Sequence, residues 1–169
     1  MQAIDTEAAT TTPATTTSTD LAGDLYALIV HLHKNCNADL FEAIGALELT
    51  LTQIKLLHQL EDQSPRELTL KEAAELVHVS LPAASRMVDD LVRRGFAQRR
   101  EDLEDRRMKR VCLTDAGRAV IRRLNAARLT GLVNFTNGLT ATEQDALANA
   151  LQHLLERPEI ADCRPETTP

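Results

Sequence analysis

Apolar residues recur with helical spacing from about residue 20 onward. In the first segment they follow one another mostly three or four residues apart: Leu21, Leu25, Leu28, Ile29, Leu32, Leu40, Phe41 and Ile44. This spacing predicts one long helix from Asp20 to about Gly45. The apolar face is rich for a surface helix, which predicts that it packs against a second chain.

A second apolar stripe follows after a short break. Ile54, Leu57 and Leu60 form its buried face, and Thr52 is the predicted N-cap. The sequence Gln-Ser-Pro at residues 63–65 ends this helix. The pattern therefore predicts a short helix that packs in the core.

Two short helices joined by a tight turn are predicted next. Thr69 lies three residues before Glu72, which is the spacing of a capping box. A turn at residues 78–79 leads to a second helix that Ser80 caps. This helix is predicted to end at Gly95, where a left-handed residue is favoured.

Residues 96–101 and 109–114 predict the two strands of a hairpin around a polar loop. In the second strand Val111 and Leu113 share one face, while Arg110 and Cys112 share the other. This period of two is typical of a strand with one buried side.

The remaining segments are two helices and two tails. One helix is predicted from Thr114 to Asn137, and another after a capping box at Thr140 and Glu143. Residues 1–19 are dominated by Thr and Ala and have no apolar period, which predicts a disordered tail. Residues 20–157 form the predicted folded domain, and residues 158–169 a C-terminal tail.

Basic residues are concentrated in one segment of an acidic chain. The net charge is −6, yet the segment from Arg86 to Arg128 contains 13 Lys and Arg against 7 Asp and Glu. A cationic segment of this kind is typical of a nucleic-acid-binding surface. A solvated helix face without a partner is the alternative.

The second helix of the turn-linked pair presents a face suited to a DNA groove. Small residues near its N-terminus let a helix enter the major groove, and Arg86 can grip guanine O6 and N7 for about 1–3 kcal/mol of discrimination. An ion pair to Asp89 or Asp90, worth ~0–1 kcal/mol, is the alternative for Arg86. Its predicted DNA-contacting residues are Ser80, Pro82, Ala83, Ser85, Arg86 and Arg93.

Arginines also crowd the predicted hairpin. Like charges repel across strands, and a phosphate backbone would relieve that repulsion. An arginine at the tip can enter a narrow minor groove, and Asp105 is interpreted as the brace that orients it. The predicted DNA contacts of the hairpin are Arg99, Asp105, Arg106, Arg107 and Lys109.

These features resemble the MarR (multiple antibiotic resistance regulator) family of winged helix-turn-helix repressors. The resemblance covers about residues 20–157 and rests on VSLPAASRMVDDLVRRG at 79–95, Asp-Arg-Arg at 105–107 and VCLTDAG at 111–117. It implies a mainly α fold with a small β-hairpin wing, in which a winged helix-turn-helix lobe carries N- and C-terminal dimerisation helices.

The resemblance further implies a homodimer on double-stranded DNA. Residues 80–94 match the recognition helix and residues 96–114 the wing, with Arg107 as the minor-groove arginine and Asp105 as its partner. Leu103 departs from the family pattern, where wings commonly carry proline. Such a dimer would bind an inverted-repeat operator with half-sites about 10 bp apart.

A ligand cleft between the dimerisation helices and the DNA-binding lobe is also implied by the resemblance, often for small aromatic or anionic effectors. Such a ligand would favour a half-site spacing that does not fit B-DNA, and the protein is accordingly predicted to be a repressor that its ligand releases. The predicted ligand-binding residues are His31, Asn35, Leu57 and His58.

Two other sensor hypotheses concern metal and redox state. His31 and His33 carry metal-ligating groups, but they point about 200° apart on a helix and cannot serve one simple site. Cys36 or Cys112 would be the redox group, and a lowering of the Cys112 pKa by the arginine-rich strand face would favour that hypothesis. The preferred interpretation of Cys112 is a small residue that fills the packing. The polar groups of the first helix are more simply a solvated or dimer face, so no metal site is predicted.

Other classes of protein are disfavoured by what the chain lacks. No catalytic motif or glycine-rich phosphate loop is present, so neither an enzyme nor a cofactor is predicted. A protein-binding adaptor that uses the winged lobe without DNA is the alternative from another class. The chain has no signal peptide and no apolar run near ~20 residues, which predicts a cytoplasmic protein without membrane contact.

Overall fold

The chain folds into helices around a small antiparallel sheet, which confirms the predicted mainly α fold class. The computed structural model describes residues 17–102 and 109–164. The helices are α1 (Ser18–Asn35), α2 (Ala38–Leu47), α3 (Leu51–Asp62), α4 (Leu70–Val77), α5 (Leu81–Arg93), α6 (Asp115–Asn137), α7 (Ala141–Leu154) and α8 (Pro158–Ala161). The strands are β1 (Leu68–Thr69), β2 (Ala97–Glu101) and β3 (Lys109–Leu113).

The long first helix is divided in two. α1 ends at Asn35 and α2 begins at Ala38, so the prediction of one helix to Gly45 was wrong. The side-chain amide of Asn37 donates to the backbone carbonyl of His33 at 2.9 Å. A side chain that bonds a nearby carbonyl competes with the helical hydrogen bond, and this favours a break.

Helix α6 packs tightly against this break. A Cβ atom placed on Gly131 would lie 1.8 Å from the carbonyl oxygen of Cys36. Only glycine therefore allows the backbone of α6 to approach the α1–α2 corner so closely. The corner is set by this packing as well as by local side chains.

Helical structure extends into both predicted tails. α1 begins at Ser18 and is capped by Thr17, whose hydroxyl accepts from the N–H of Asp20 at 3.2 Å, so the helix starts inside the predicted tail of residues 1–19. Residues 1–16 lie outside the described part of the chain. At the other end, four residues of the predicted C-terminal tail form α8.

The N-cap of α3 is Thr50 and not Thr52 as predicted. Thr50 has extended backbone angles, and its hydroxyl accepts from the N–H of Gln53 at 3.2 Å. Gln53 Oε1 in turn accepts from the N–H of Thr50 at 2.8 Å, which completes a capping box. The Thr-x-x-Gln spacing was a readable signal for this start.

The hairpin gains a third strand that the sequence pattern did not predict. The sheet order is β1-β3-β2, and both pairs are antiparallel. β1 is two residues long and pairs Leu68 with Val111. Two residues cannot show a period of two, so this strand is recognisable only through its partner.

The core lies in the winged lobe and the inner face of α6. Leu56, Leu57, Leu68, Leu91 and Ile121 are the largest completely buried side chains. In the described structure α1 and α7 contribute no buried residue to it. No helix within residues 17–102 and 109–164 is long and apolar enough to cross a membrane.

Candidate nucleic-acid interface

Helix α5 is fixed by its ends and by a buried stripe. Ser80 Oγ accepts from the N–H of Ala83 at 3.4 Å, and Gly95 follows the helix with φ of 75°, so both predicted ends are confirmed. Its buried stripe consists of Ala84, Val88 and Leu91, with Met87 and Val92 packed beside it. The stripe holds α5 in the core and leaves its opposite face to solvent.

The opposite face of α5 carries the predicted DNA contacts. Pro82, Arg86 and Arg93 are exposed, and Ala83 and Ser85 are partly exposed. The predicted alternative for Arg86 was an ion pair with Asp89 or Asp90, but these carboxylates pair with other arginines. Among the described residues Arg86 has no ion-pair partner, so its guanidinium is available to a ligand.

Two other predicted contacts, Arg93 and Arg99, already have acidic partners. Arg99 Nη1 lies 2.6 Å from Asp89 Oδ1, and Arg93 contacts the carboxylate of Asp90. Ion pairs near the surface contribute only ~0–1 kcal/mol. A phosphate group can therefore replace either carboxylate at small cost.

Two arginines on the hairpin strands are neutralised by acidic residues next to the strands. Arg100 and Arg110 lie directly opposite each other in β2 and β3. The carboxylate of Glu67 accepts from Arg100 at 3.1 Å, the carbonyl of Glu67 accepts from Arg110 at 3.1 Å, and buried Asp102 pairs with Arg110. The interpretation that these arginines require a polyanion to relieve their repulsion is therefore wrong for the strand positions.

The tip of the wing lies outside the described residues. Asp105, Arg106 and Arg107 fall within residues 103–108, as does Leu103. Their predicted contacts remain predictions. Lys109, the first residue of β3, is exposed beside this segment.

A cleft of about 400 Å³ lies between α1, α2 and α6. Its lining residues are His31, Asn35, Cys36, Ala38, Asp39, Gly131, Asn134 and Phe135. The structure thus brings together His31 and Asn35, two of the four predicted ligand-binding residues. Leu57 is completely buried in the core because it lies on the apolar stripe of α3, and half-buried His58 does not line the cleft.

The histidines of α1 have neighbours other than metal ligands. The ring of His31 lies 5.8 Å from that of Phe135, and the ring of His33 lies 6.5 Å from that of Phe41. Within the described ranges, no group of three or more His, Cys, Asp or Glu residues could hold a metal ion. The recorded ring contacts of these histidines are with phenylalanines.

The environment of Cys112 disfavours the redox hypothesis. Burial raises the pKa of the Cys112 thiol, and a hydrogen bond with Glu67 raises it further. The nearby charge of Arg100 acts in the opposite direction but is outweighed. The pKa of Cys112 is therefore raised overall, which disfavours a reactive thiolate at this position.

Alkylation with iodoacetamide at pH 7 should modify Cys163 well before Cys112. Cys163 is exposed, whereas the Cys112 thiol is half-buried and the thiolate is the reactive form. Peptide mass spectrometry after timed quenching measures both rates. In urea the two cysteines should react at similar rates, and faster labelling of Cys112 in the folded protein would contradict the raised pKa.

Known proteins similar to this chain are transcriptional regulators. The MarR family profile matches residues 49–109, from just before α3 to the first residue of β3. The transcriptional repressor MprA of Escherichia coli K12 is 27% identical over 133 residues, which cover 79% of this chain and 76% of MprA.

Solved structures share the fold over most of the chain. Wild-type MarR from E. coli, in its apo form, is 28% identical with a TM-score of 0.55, and the match covers 78% of this chain and 96% of MarR. A MepR mutant from S. aureus bound to an oligodeoxyribonucleotide is 20% identical with a TM-score of 0.63, covering 80% and 96%. The profile matches the segment that builds α5 and β2, and the fold is shared around it, so the chain is similar in sequence and in fold to the MarR family of winged helix-turn-helix transcription regulators.

Proposed function

We propose that this protein binds an inverted-repeat operator as a homodimer and represses transcription until a small aromatic or anionic ligand releases it. The observation that carries the DNA-binding part is the solvent face of α5, where Arg86 is exposed and unpaired within the described structure. Arginine in this position can form two hydrogen bonds with the edge of a guanine base, and the small side chains of Pro82 and Ser85 allow close approach to the major groove. The relatives are named as regulators, and we propose neither a catalytic activity nor a resident cofactor.

The homodimer is supported by apolar surface that the chain itself does not cover. Leu21, Leu25, Tyr26 and Ile29 of α1 are each more than half exposed, and α7 exposes Leu151 and Leu154. An apolar stripe of this size on helices without buried residues is typical of a protein interface. A symmetric pair would carry two copies of α5, as an inverted repeat requires.

Repression and its release are supported by two observations. MprA, which matches most of this chain, is named a repressor. The cleft between α1, α2 and α6 is lined by aromatic and polar groups, and it borders the α1 face proposed for the dimer. A ligand that binds better to one spacing of the two recognition helices would shift the population toward that spacing. DNA binding would place the protein in the cytoplasm.

Binding to a duplex selected from random DNA should weaken steeply as salt rises, because each phosphate contact releases counterions. Fluorescence anisotropy measures the affinity between 50 and 200 mM salt. For several phosphate contacts we expect the affinity to fall on the order of 1,000-fold over this range. Arg107→Ala should weaken binding strongly and leave the dimer intact. Arg164→Ala, near the C-terminus, is the charge-matched control.

An unchanged affinity of Arg107→Ala at moderate salt would contradict the minor-groove role. Failure of the wild-type protein to bind any duplex, even at low salt, would contradict the proposed function and favour a protein-binding adaptor. Added benzoate or phenol should release the bound duplex if the ligand proposal holds. Release by a chelator or by peroxide would instead favour the metal or redox alternative.

A further inference from the structure

Arg94, the residue after α5, points away from the exposed face of that helix. Its guanidinium donates to the carbonyl of Glu48 at 3.1 Å and also to the carbonyl of Leu47. These carbonyls end α2, where helical carbonyls have no partner within the helix and a cation is favourable. The side chain is only 24% exposed and lies 5.1 Å above the ring of Phe96.

A second contact joins the same corner. Asp90, one turn before Arg94 on α5, accepts from Gln53 Nε2 at 2.8 Å and lies 3.8 Å from the Arg94 guanidinium. Gln53 is buried, and its Oε1 accepts from the N–H of Thr50 in the capping box of α3. Polar side chains buried in this way are held in one orientation by their partners.

We call Gln53, Asp90 and Arg94 the corner clamp. It joins three helices: α2 through its terminal carbonyls, α3 through Gln53, and α5 through Asp90 and Arg94. The contacts span 37 residues between Gln53 and Asp90 and 46 between Glu48 and Arg94. The clamp therefore fixes one end of α5 against two helices that are distant in sequence.

We propose that Arg94 is a positioning residue for DNA recognition, because through the corner clamp it sets the angle at which α5 enters the groove. Pro82 lies twelve residues before Arg94, about 18 Å along a helix. A tilt of about 5° at the clamp would move that end by about 1.5 Å, enough to lose a hydrogen bond to a base. This inference rests on the proposed DNA-binding function and adds to it a residue that does not contact DNA.

The neighbouring arginine provides a matched comparison. The side chain of Arg93 is 75% exposed and forms an ion pair with Asp90, whereas the guanidinium of Arg94 donates to two carbonyls at the end of α2. An exposed arginine that reaches phosphate contributes to binding of any sequence. A partly buried arginine that sets the helix angle should affect the affinity only for duplexes whose bases α5 contacts.

The test compares a selected duplex with a scrambled one at several salt concentrations. Arg94→Gln should lower affinity for the selected duplex about tenfold, the loss of one base contact, and leave the scrambled duplex and the salt slope nearly unchanged. Arg94→Lys, which keeps the charge and can reach one carbonyl, should restore part of the loss. Arg93→Gln should instead weaken both duplexes alike and lower the salt slope by about 1.

Gln53→Glu tests the corner clamp by changing its residue on α3, while the side chains of α5 stay the same. It keeps the oxygen that accepts from Thr50 and replaces the amide that donates to Asp90, so it should reproduce the selective loss of Arg94→Gln. All titrations are made well below each variant's thermal midpoint, measured by circular dichroism. The inference would be overturned if Arg94→Gln lowered the salt slope while Gln53→Glu left the affinity for both duplexes unchanged. That result would show that Arg94 contacts DNA.

The inference would also be overturned if Arg94→Gln discriminated between the selected and the scrambled duplex as strongly as the wild-type protein does. In both of these cases the wild-type protein still binds DNA, so the proposed function stands. A wild-type protein that binds no duplex would contradict the proposed function first, and the positioning role with it.

Discussion

Leu25→Glu in α1 should convert the proposed dimer into monomers and abolish the proposed operator binding. Leu25 is 55% exposed in the single chain, on a helix that buries none of its residues in its own core. Burial of a leucine contributes about 1.5–3 kcal/mol, and an unpaired carboxylate at an interface costs more than that. Twofold symmetry places the substitution in the interface twice.

Analytical ultracentrifugation over a range of concentrations measures the change in assembly. Ala27→Glu is the matched control, because it introduces the same side chain on the opposite face of α1 by helical spacing. The control should remain a dimer. Leu25→Glu that sediments as the wild-type dimer would contradict the assignment of this face to the interface.

Arg86→Ala should weaken binding to the selected operator by about 1–3 kcal/mol, roughly 5- to 150-fold, because one bidentate base contact is lost. Arg86 is exposed on α5 and has no acidic partner among the described residues, so its removal leaves no buried charge behind. Thermal stability should therefore change little. Arg128→Ala, an exposed arginine of α6, is the charge-matched control.

The base contact itself can be tested by changing the DNA. Replacing guanines of the operator one at a time with 7-deazaguanine removes the N7 acceptor that an arginine would use. At one position in each half-site the wild-type protein should lose affinity while Arg86→Ala loses none. Equal losses in both proteins at every position would show that Arg86 does not read guanine.

Elements with strong local signals were predictable from the sequence. Ser80 and Gly95 bound α5 because a hydroxyl cap and a left-handed glycine act within a few residues. The buried stripe of α5 and the alternation of Val111 and Leu113 follow from the helical and strand periods. The same locality explains why the arrangement of recognition helix and wing could be recognised before any contact was known.

Features that depend on distant residues were not predictable. The cleft residues Gly131, Asn134 and Phe135 come from α6, about a hundred residues after His31 along the chain. The partners of Arg100 and Arg94 lie 33 and 46 residues away, and no pattern along the chain connects them. The raised pKa of Cys112 likewise results from burial against other elements.

The sequence by itself determined the positions of the longer helices and of the two hairpin strands, the N-caps of α4, α5 and α7, and that a cationic segment accompanies an exposed arginine on a capped helix. Those properties depend on hydrogen bonds and side-chain periods that span only a few residues. The tertiary structure decided that the first helix divides where α6 approaches Cys36, that Glu67 and Asp102 neutralise the strand arginines, and that Arg94 binds the end of α2. These depend on which charges and backbones meet in space, and that is settled only when the helices pack.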